Sequence, residues 1–225
     1  NSEMRKTYRH LSVFVLRTTP RPSGTLRTLT YSVGRTVKIS ALLIGVSVAL
    51  KFVMIMPSET LKISFAFVGL AAIGMLYGPV VAGLAGVVTD VVGFLVKPTG
   101  AFSPIFTLVE VAGAVIYGIF LYGLNPVKLD FSSRSAFFGG LKTNGFQVFR
   151  IFMAKFCVNL FCNVFLNTIA MVIMGYFAPE VFWVKITTRI VKNLTMLPIE
   201  VFILLLVLYP VMVAYRAAFR EKRSA

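Results

Sequence analysis

Long apolar runs separated by short polar segments decide what this chain can become. The run "VFILLLVLYPVMVAY" (201–215) carries no charge, and similar runs recur from residue 38 onward. A helix that crosses a bilayer needs about 20 mostly apolar residues. Six such spans fit the sequence, at 38–56, 63–78, 80–96, 104–123, 149–175 and 187–215. Membrane strands do not fit, because the runs are too long and lack the alternation of a barrel. Only 14% of the residues are charged and 57% are hydrophobic, against about a quarter charged in soluble domains. The chain therefore reads as an all-α integral membrane protein of six transmembrane helices. The second and third spans meet at a tight turn, Tyr77-Gly78-Pro79. Pro57, Pro98, Pro104 and Pro179 stand at or just beyond span ends, where proline is expected.

Lysine and arginine orient the spans. The N-terminal segment, the 124–155 region and the C-terminus hold seventeen basic residues, Lys155 among them. The opposite side holds six: Lys51, Lys62, Lys97, Lys185, Arg189 and Lys192. That asymmetry predicts both termini in the cytoplasm. Residues 1–36 read as a basic, flexible cytoplasmic tail rich in Ser, Thr and Pro. A transit peptide has similar composition and is the alternative. Residues 37–215 form the membrane domain, and 216–225 a basic cytoplasmic tail. The net charge of +15 is scattered through loops and tails. It points to membrane lipid headgroups as partner and not to nucleic acid. Cys157 and Cys162 both fall inside the fifth span and read as buried, inert thiols.

Catalytic and nucleotide-binding signatures are missing from the sequence. There is no GxxxxGK[ST], HExxH or CxxC, and the single histidine, His10, lies in the tail. No cofactor or metal is expected, and a binder, channel or carrier fits better than an enzyme.

Polar residues inside the spans carry the remaining information, because ionisable groups in hydrocarbon usually face a bundle interior or a cavity. In the sixth span Arg189, Lys192, Asn193, Met196 and Glu200 fall within about a 100° wedge, while Pro198 points away. In the fifth, Lys155, Asn159, Asn163 and Asn167 recur every four residues. In the third, Gly83, Gly86, Asp90, Gly93 and Lys97 share a face, and in the fourth Phe106, Glu110, Gly113 and Tyr117 do. Helix-to-helix contact explains the glycines and Asn159 without any ligand. The outer cations have few acids to pair with, Glu59 and Glu180. Together they predict an outward cup of positive potential suited to an anion. Phe52, Met54, Met56, Phe102, Phe106, Trp183 and Met196 are candidates for an apolar wall. On the first span, Ala41, Gly45 and Ala49 make a small-residue ridge that lets another helix approach, from this chain or from a separate protein.

The segments "GMLYGPVVAGLAGVVTDVVGFLVKPTGAFSPIFTL" (74–108), "LNTIAM" (166–171) and "RIVKNLTMLPIE" (189–200) resemble the substrate-binding S components of energy-coupling factor (ECF) vitamin transporters, in particular the folate-specific branch. The resemblance covers residues 37–215. It implies a binder that captures folate or reduced folate outside and delivers it inward. A transmembrane coupling subunit and two ATPase subunits would be its partners, with Ala41, Gly45 and Ala49 as the contact. Taken with the polar stripes, the resemblance makes Arg189, Lys192, Asn193, Glu200, Asn167, Lys97, Thr99, Lys51, Asp90 and Glu110 the candidate substrate-binding residues. At position 51 the family often has arginine; lysine keeps the charge and loses the bidentate fork. Cations near the opening suit the two carboxylates of folate. Asp90, Glu110, Asn167 and Glu200 are the candidates for the pterin edge. Alternatives are an S component for another vitamin such as riboflavin, an intramembrane lipid-headgroup enzyme using Asp90, Glu110 or Glu200, and an assembly protein whose polar stripes serve only packing.

Overall fold

The computed structural model describes residues 26–52, 54–58, 61–96 and 102–220. The chain divides after Leu42 into two units. The core and the cavity described below belong to the second, 43–225.

Helix α1 spans Leu26–Phe52. A short antiparallel hairpin follows, β1 (Met54–Ser58) paired with β2 (Leu61–Ser64). It lies where the sequence predicts the end of one span and the start of the next, and it corrects both boundaries. Its strands are far shorter than the 9–11 residues of a membrane strand. Pro57, which has no N–H to donate, sits at the irregularity between Ile55 and Ser58.

Helix α2 (Phe67–Val96) is two helical segments, 67–77 and 79–96, that meet at a break at Gly78, where the sequence places the turn between the second and third spans. Gly78 takes φ 83° and ψ −175° in its middle. The residue before a proline is steered away from the α region, and only glycine adopts positive φ at little cost. Pro79 then restarts the helix at once. Helix α3 (Pro104–Leu121) runs antiparallel to the second segment of α2, with Pro79 beside Gly118 and Gly86 beside Val111. Its approach is close enough that a Cβ on Gly118 would lie 2.3 Å from Pro79 Cα, and one on Gly74 2.8 Å from Gly118 N. Gly83 and Gly86 likewise face Val115 and Val111 of α3, as the packing reading of those glycines expects.

A turn region leads to the short helix α4 (Arg134–Thr143), N-capped by Ser133, which accepts the Ala136 N–H. Exposed Asp130 accepts the Ser132 N–H, a bond that holds its carboxyl below the usual carboxylate range. A continuous 29-residue helical stretch, Gly145–Ile173, comes next. It comprises α5 (Gly145–Cys157), a π-helical segment (Val158–Leu166) and α6 (Asn167–Ile173). Helix α7 (Phe182–Arg220) closes the bundle.

Among the described residues four helices are long and apolar enough to cross a membrane, and Val37–Leu50 is a shorter apolar stretch. Ile73, Ala71, Tyr117, Leu121, Ile151, Leu204 and Leu208 form the core. The outward faces stay apolar as well: Val80, Leu84, Leu108, Ile119, Phe161 and Leu206 are exposed. Helices that are apolar on every side need a solvent as apolar as the core, which is lipid. This is a multi-pass membrane protein.

Candidate functional site

The site follows from how three helices run. Arg150 of α5 reaches Phe120 and Tyr122 at the end of α3, while Val158 lies beside Gly113, so α3 and this stretch are antiparallel. Met171 meets Arg189 and Lys155 meets Glu200, so the same stretch is antiparallel to α7. Helices α3 and α7 therefore run in the same sense. The stripe Phe106, Glu110, Gly113, Tyr117 descends alongside the stripe Arg189, Lys192, Asn193, Met196, Glu200. Each stripe spans eleven residues, about 16 Å of helical rise.

Between them lies a cavity of about 760 Å³ lined by every residue of both stripes. Helix α2 adds Phe67, Leu70 and Asp90. The α5–π–α6 stretch adds Lys155, Val158, Cys162, Asn163 and Asn167. Exposure falls along α7, from open Lys185 and Thr188, through half-buried Arg189, Lys192 and Asn193, to buried Met196. The cavity thus has a wet, cationic mouth and a dry floor.

Polar groups at the floor satisfy one another. Lys155, 1% exposed, forms an ion pair with Glu200 at 3.1 Å, and its Nζ stands 3.7 Å from the centroid of the Phe67 ring. Asn159 Nδ2 donates to the other Glu200 oxygen at 2.7 Å. Asn163 Nδ2 donates to Asn159 Oδ1 at 3.0 Å. A buried charge is tolerated only when it is paired and its remaining valences are bonded, and this cluster meets that condition. Tyr117, also on the floor, is 2% exposed, and its hydroxyl bonds no described group.

The π segment positions the principal cation at the mouth. Its i→i+5 bonding widens the turns and redirects carbonyls, a feature that recurs at functional sites. Asn163 O accepts from Arg189 Nη1 at 3.1 Å, and Arg189 Nη2 lies 2.7 Å from Met171 Sδ. A guanidinium has five N–H donors, and these two contacts fix its plane while its edge borders the cavity. The wider π turn also offsets the drift that a four-residue spacing accumulates in an α-helix. That is how Lys155, Asn163 and Asn167 all reach the same wall. Asp90, on the facing helix, accepts from Thr107 Oγ1 at 2.8 Å.

Seven of the ten residues singled out as substrate-binding line this cavity: Arg189, Lys192, Asn193, Glu200, Asn167, Asp90 and Glu110. Lys97 and Thr99 lie outside the described residues, as does the side chain of Lys51. Of the proposed apolar wall, Phe106 and Met196 line the cavity. Phe102 packs on Phe94 instead, and Trp183 is 72% exposed. Lys155 requires a correction. The sequence places it among the cytoplasmic cations, and the structure buries it on the cavity floor. Tyr117, Asn163 and Lys185 stood on the stripes or among the outer cations without a ligand role, and all three line the cavity. Their helical spacing was the available signal. Cys162 is buried beside the cavity and Cys157 is half-buried; both are free thiols.

Over residues 35–208 the chain matches the family described as ECF transporter, substrate-specific component. It is 33% identical over 144 residues to the folate transporter FolT of Clostridium novyi (strain NT), which covers 64% of this chain and 70% of the relative. Against the folate transporter FolT of Leuconostoc mesenteroides subsp. mesenteroides it is 33% identical over 146 residues, with 64% and 69% covered. Its fold is similar to that in a crystal structure of FolT bound with folic acid. The TM-score is 0.58 at 27% identity, covering 76% of this chain and 90% of the other.

Proposed function

Because this chain belongs to the substrate-specific components of ECF transporters, we propose that it captures folate or reduced folate from outside a bacterial membrane and hands it inward with the help of ATPase partners. The family makes it the substrate-binding part of a transporter and not an enzyme. One observation carries the folate reading: a cavity that pairs a cationic mouth with a buried floor of mutually bonded polar groups about 16 Å below. At about 760 Å³ it lies inside the size range of small-molecule sites. An extended ligand with a dianionic end and a flat heterocyclic end suits that polarity.

In this reading Arg189, held by the π-segment carbonyl, grips the glutamate carboxylates with its remaining donors, and Lys192 and Lys185 add positive potential. The heterocycle descends past Phe106 and Met196. Asp90 and Asn167, level with Arg189, and Glu110 and Asn193, one turn below, are the donor and acceptor groups offered along the ligand's length. Glu200 acts chiefly by holding Lys155 at the floor. Two features support a coupling subunit as partner: Gly45 and Ala49 are exposed, and a Cβ on Gly45 would meet nothing within 4 Å. Ala41 continues the same spacing. Six crossings, with α2 counted as two and α1 as one, and cytoplasmic termini complete the proposal. Lys51, Lys97 and Thr99 are proposed to extend the mouth.

Calorimetry on the purified protein tests the reading. One-to-one binding of folic acid or 5-formyltetrahydrofolate is expected. Binding of neither, with a folded protein, overturns it.

A further inference from the structure

Helix α4 carries a surface that the cavity does not use. Arg134, Phe138 and Lys142 fall at i, i+4 and i+8 and make one exposed ridge, with Phe138 56% exposed. The Arg134 guanidinium sits over the Phe138 ring at 5.9 Å. Phe137 packs edge-on against Phe138 and also meets Phe131, which is itself 63% exposed. The inward side of α4 is the partly buried set Ala136, Phe137, Gly140 and Leu141, of which Leu141, with the preceding Leu129, packs on the core. Among the described residues nothing covers the ridge.

Exposure of two phenylalanines to water is costly, at about 25 cal/mol per Å² of apolar surface. The chain places them next to a lipid-facing belt. Helix α5 starts two residues after α4 ends, and its Phe146, Phe149 and Phe152 are exposed on a membrane-spanning helix. The same segment is basic: between residues 124 and 144 lie Lys128, Arg134 and Lys142, with Asp130 the only acid. The Asp130 carboxylate faces back to the Ser132 N–H. Rings that settle at the acyl boundary, flanked by cations that reach headgroups, are the signature of a helix lying in the membrane surface.

We propose that α4 is an anionic-lipid docking element, with Phe138 and Phe131 seated among the headgroups and Arg134, Lys142 and Lys128 pairing with their negative charges. Each such cation near a charged bilayer surface favours anionic lipid modestly, and three together give a preference of about tenfold or more. The proposal requires that the chain span a membrane and is independent of which ligand fills the cavity.

The test uses the full chain in nanodiscs. Trp183 is the single tryptophan and is first replaced by Phe; Phe138→Trp then supplies a reporter on the ridge. Fluorescence is quenched with brominated phosphatidylglycerol or brominated phosphatidylcholine diluted into unbrominated lipid. Quenching by the anionic lipid at several-fold lower mole fraction is expected. Arg134→Gln, Lys142→Gln and Lys128→Gln together should erase that difference while leaving ligand binding at the cavity intact. No quenching by either lipid means the ridge faces water or a protein partner and overturns the proposal. Equal quenching by both lipids overturns its anionic specificity. A difference that survives the triple substitution removes the assigned role of these cations.

Discussion

Arg150 and Arg189 look alike in the sequence. Each enters an apolar helix near one end, and each donates to a backbone carbonyl of another helical segment. Their surroundings separate them. Arg150 Nε and Nη2 bond Phe120 O and Tyr122 O at 2.8 and 3.0 Å. These carbonyls belong to the last turn and C-cap of α3, where orphan acceptors collect. Its plane is committed to closing a helix end. Arg189 bonds one carbonyl, that of Asn163, and a thioether, and keeps an edge on the cavity. One arginine completes a fold and the other is held in place while still offering donors. Lys155 extends the comparison to the interior: it is a cation of the cavity floor whose charge is already matched by Glu200. The lesson is that a cation's role follows from which of its donors the chain leaves over.

The largest effect is expected where a committed cation is broken. Lys155→Met strands the Glu200 carboxylate in a dry floor, and the cost of breaking a buried pair is about 3–5 kcal/mol. For a chain of this size that lowers the melting temperature in detergent by roughly 10 °C. The double substitution Lys155→Met with Glu200→Gln removes both charges and should recover much of the loss. If the single variant is as stable as the double, the pair is not holding the floor.

Arg189→Ala should act on the other side of the comparison. In its proposed role Arg189 holds the carboxylates, so the dissociation constant for folic acid is expected to rise by roughly 30-fold or more, equivalent to about 2–4 kcal/mol. The unliganded melting temperature should move much less than in Lys155→Met. Arg189→Lys keeps charge without the planar fork and should restore little. Near-normal affinity in Arg189→Lys would show that the site needs only positive charge.

How far these roles were legible in the sequence depends on whether the signal was local. The stripe from Arg189 to Glu200 follows from 100° per residue alone, and so does Phe106 to Tyr117. Both line the cavity for that reason. Lys155 defeated the topology argument because its partner lies 45 positions away, and charge counting treats every cation near a span end as solvated. Its place in the four-residue series with Asn159, Asn163 and Asn167 was the contrary signal. The π segment has no signature in its residues, "VNLFCNVFL", and its Asn163 carbonyl accepts from Arg189, 26 positions away. At "YGP" the sequence showed a break between two spans, and the structure has it there: Gly78 leaves the helical region and Pro79 begins the next segment. The close approach at Gly118 depends on Gly74 and Pro79 in another helix and could not be read from its neighbours.

Arg150→Met sharpens the contrast with Arg189. Two carbonyls at the end of α3 lose their charged donor, a cost of about 1–3 kcal/mol. The melting temperature should fall by several degrees while folic acid binds as before. A weakened affinity at unchanged stability would mean that Arg150 reaches the site through α3, and the division between the two arginines would fail.

The smallest effect tests the outermost cation. Lys185 is exposed at the mouth, with its Nζ 5.7 Å from the Phe177 ring, and it lines the cavity without the fixed geometry of Arg189. A solvent-exposed charge contributes less than about 1 kcal/mol, so Lys185→Ala should weaken folic acid binding only a few-fold. The effect should reside in the association rate, because a rim charge steers an anion before contact is made. Raising ionic strength from about 0.05 M to about 0.5 M shortens the screening length to a few ångströms, and the difference between wild type and variant should then disappear. Arg189→Ala, at a partly buried and hydrogen-bonded position, should keep most of its defect in the same high salt. Stopped-flow binding at the two ionic strengths separates the cases. A Lys185 defect that persists in high salt would make it a direct ligand contact, and the mouth would then begin one helical turn further out than Arg189.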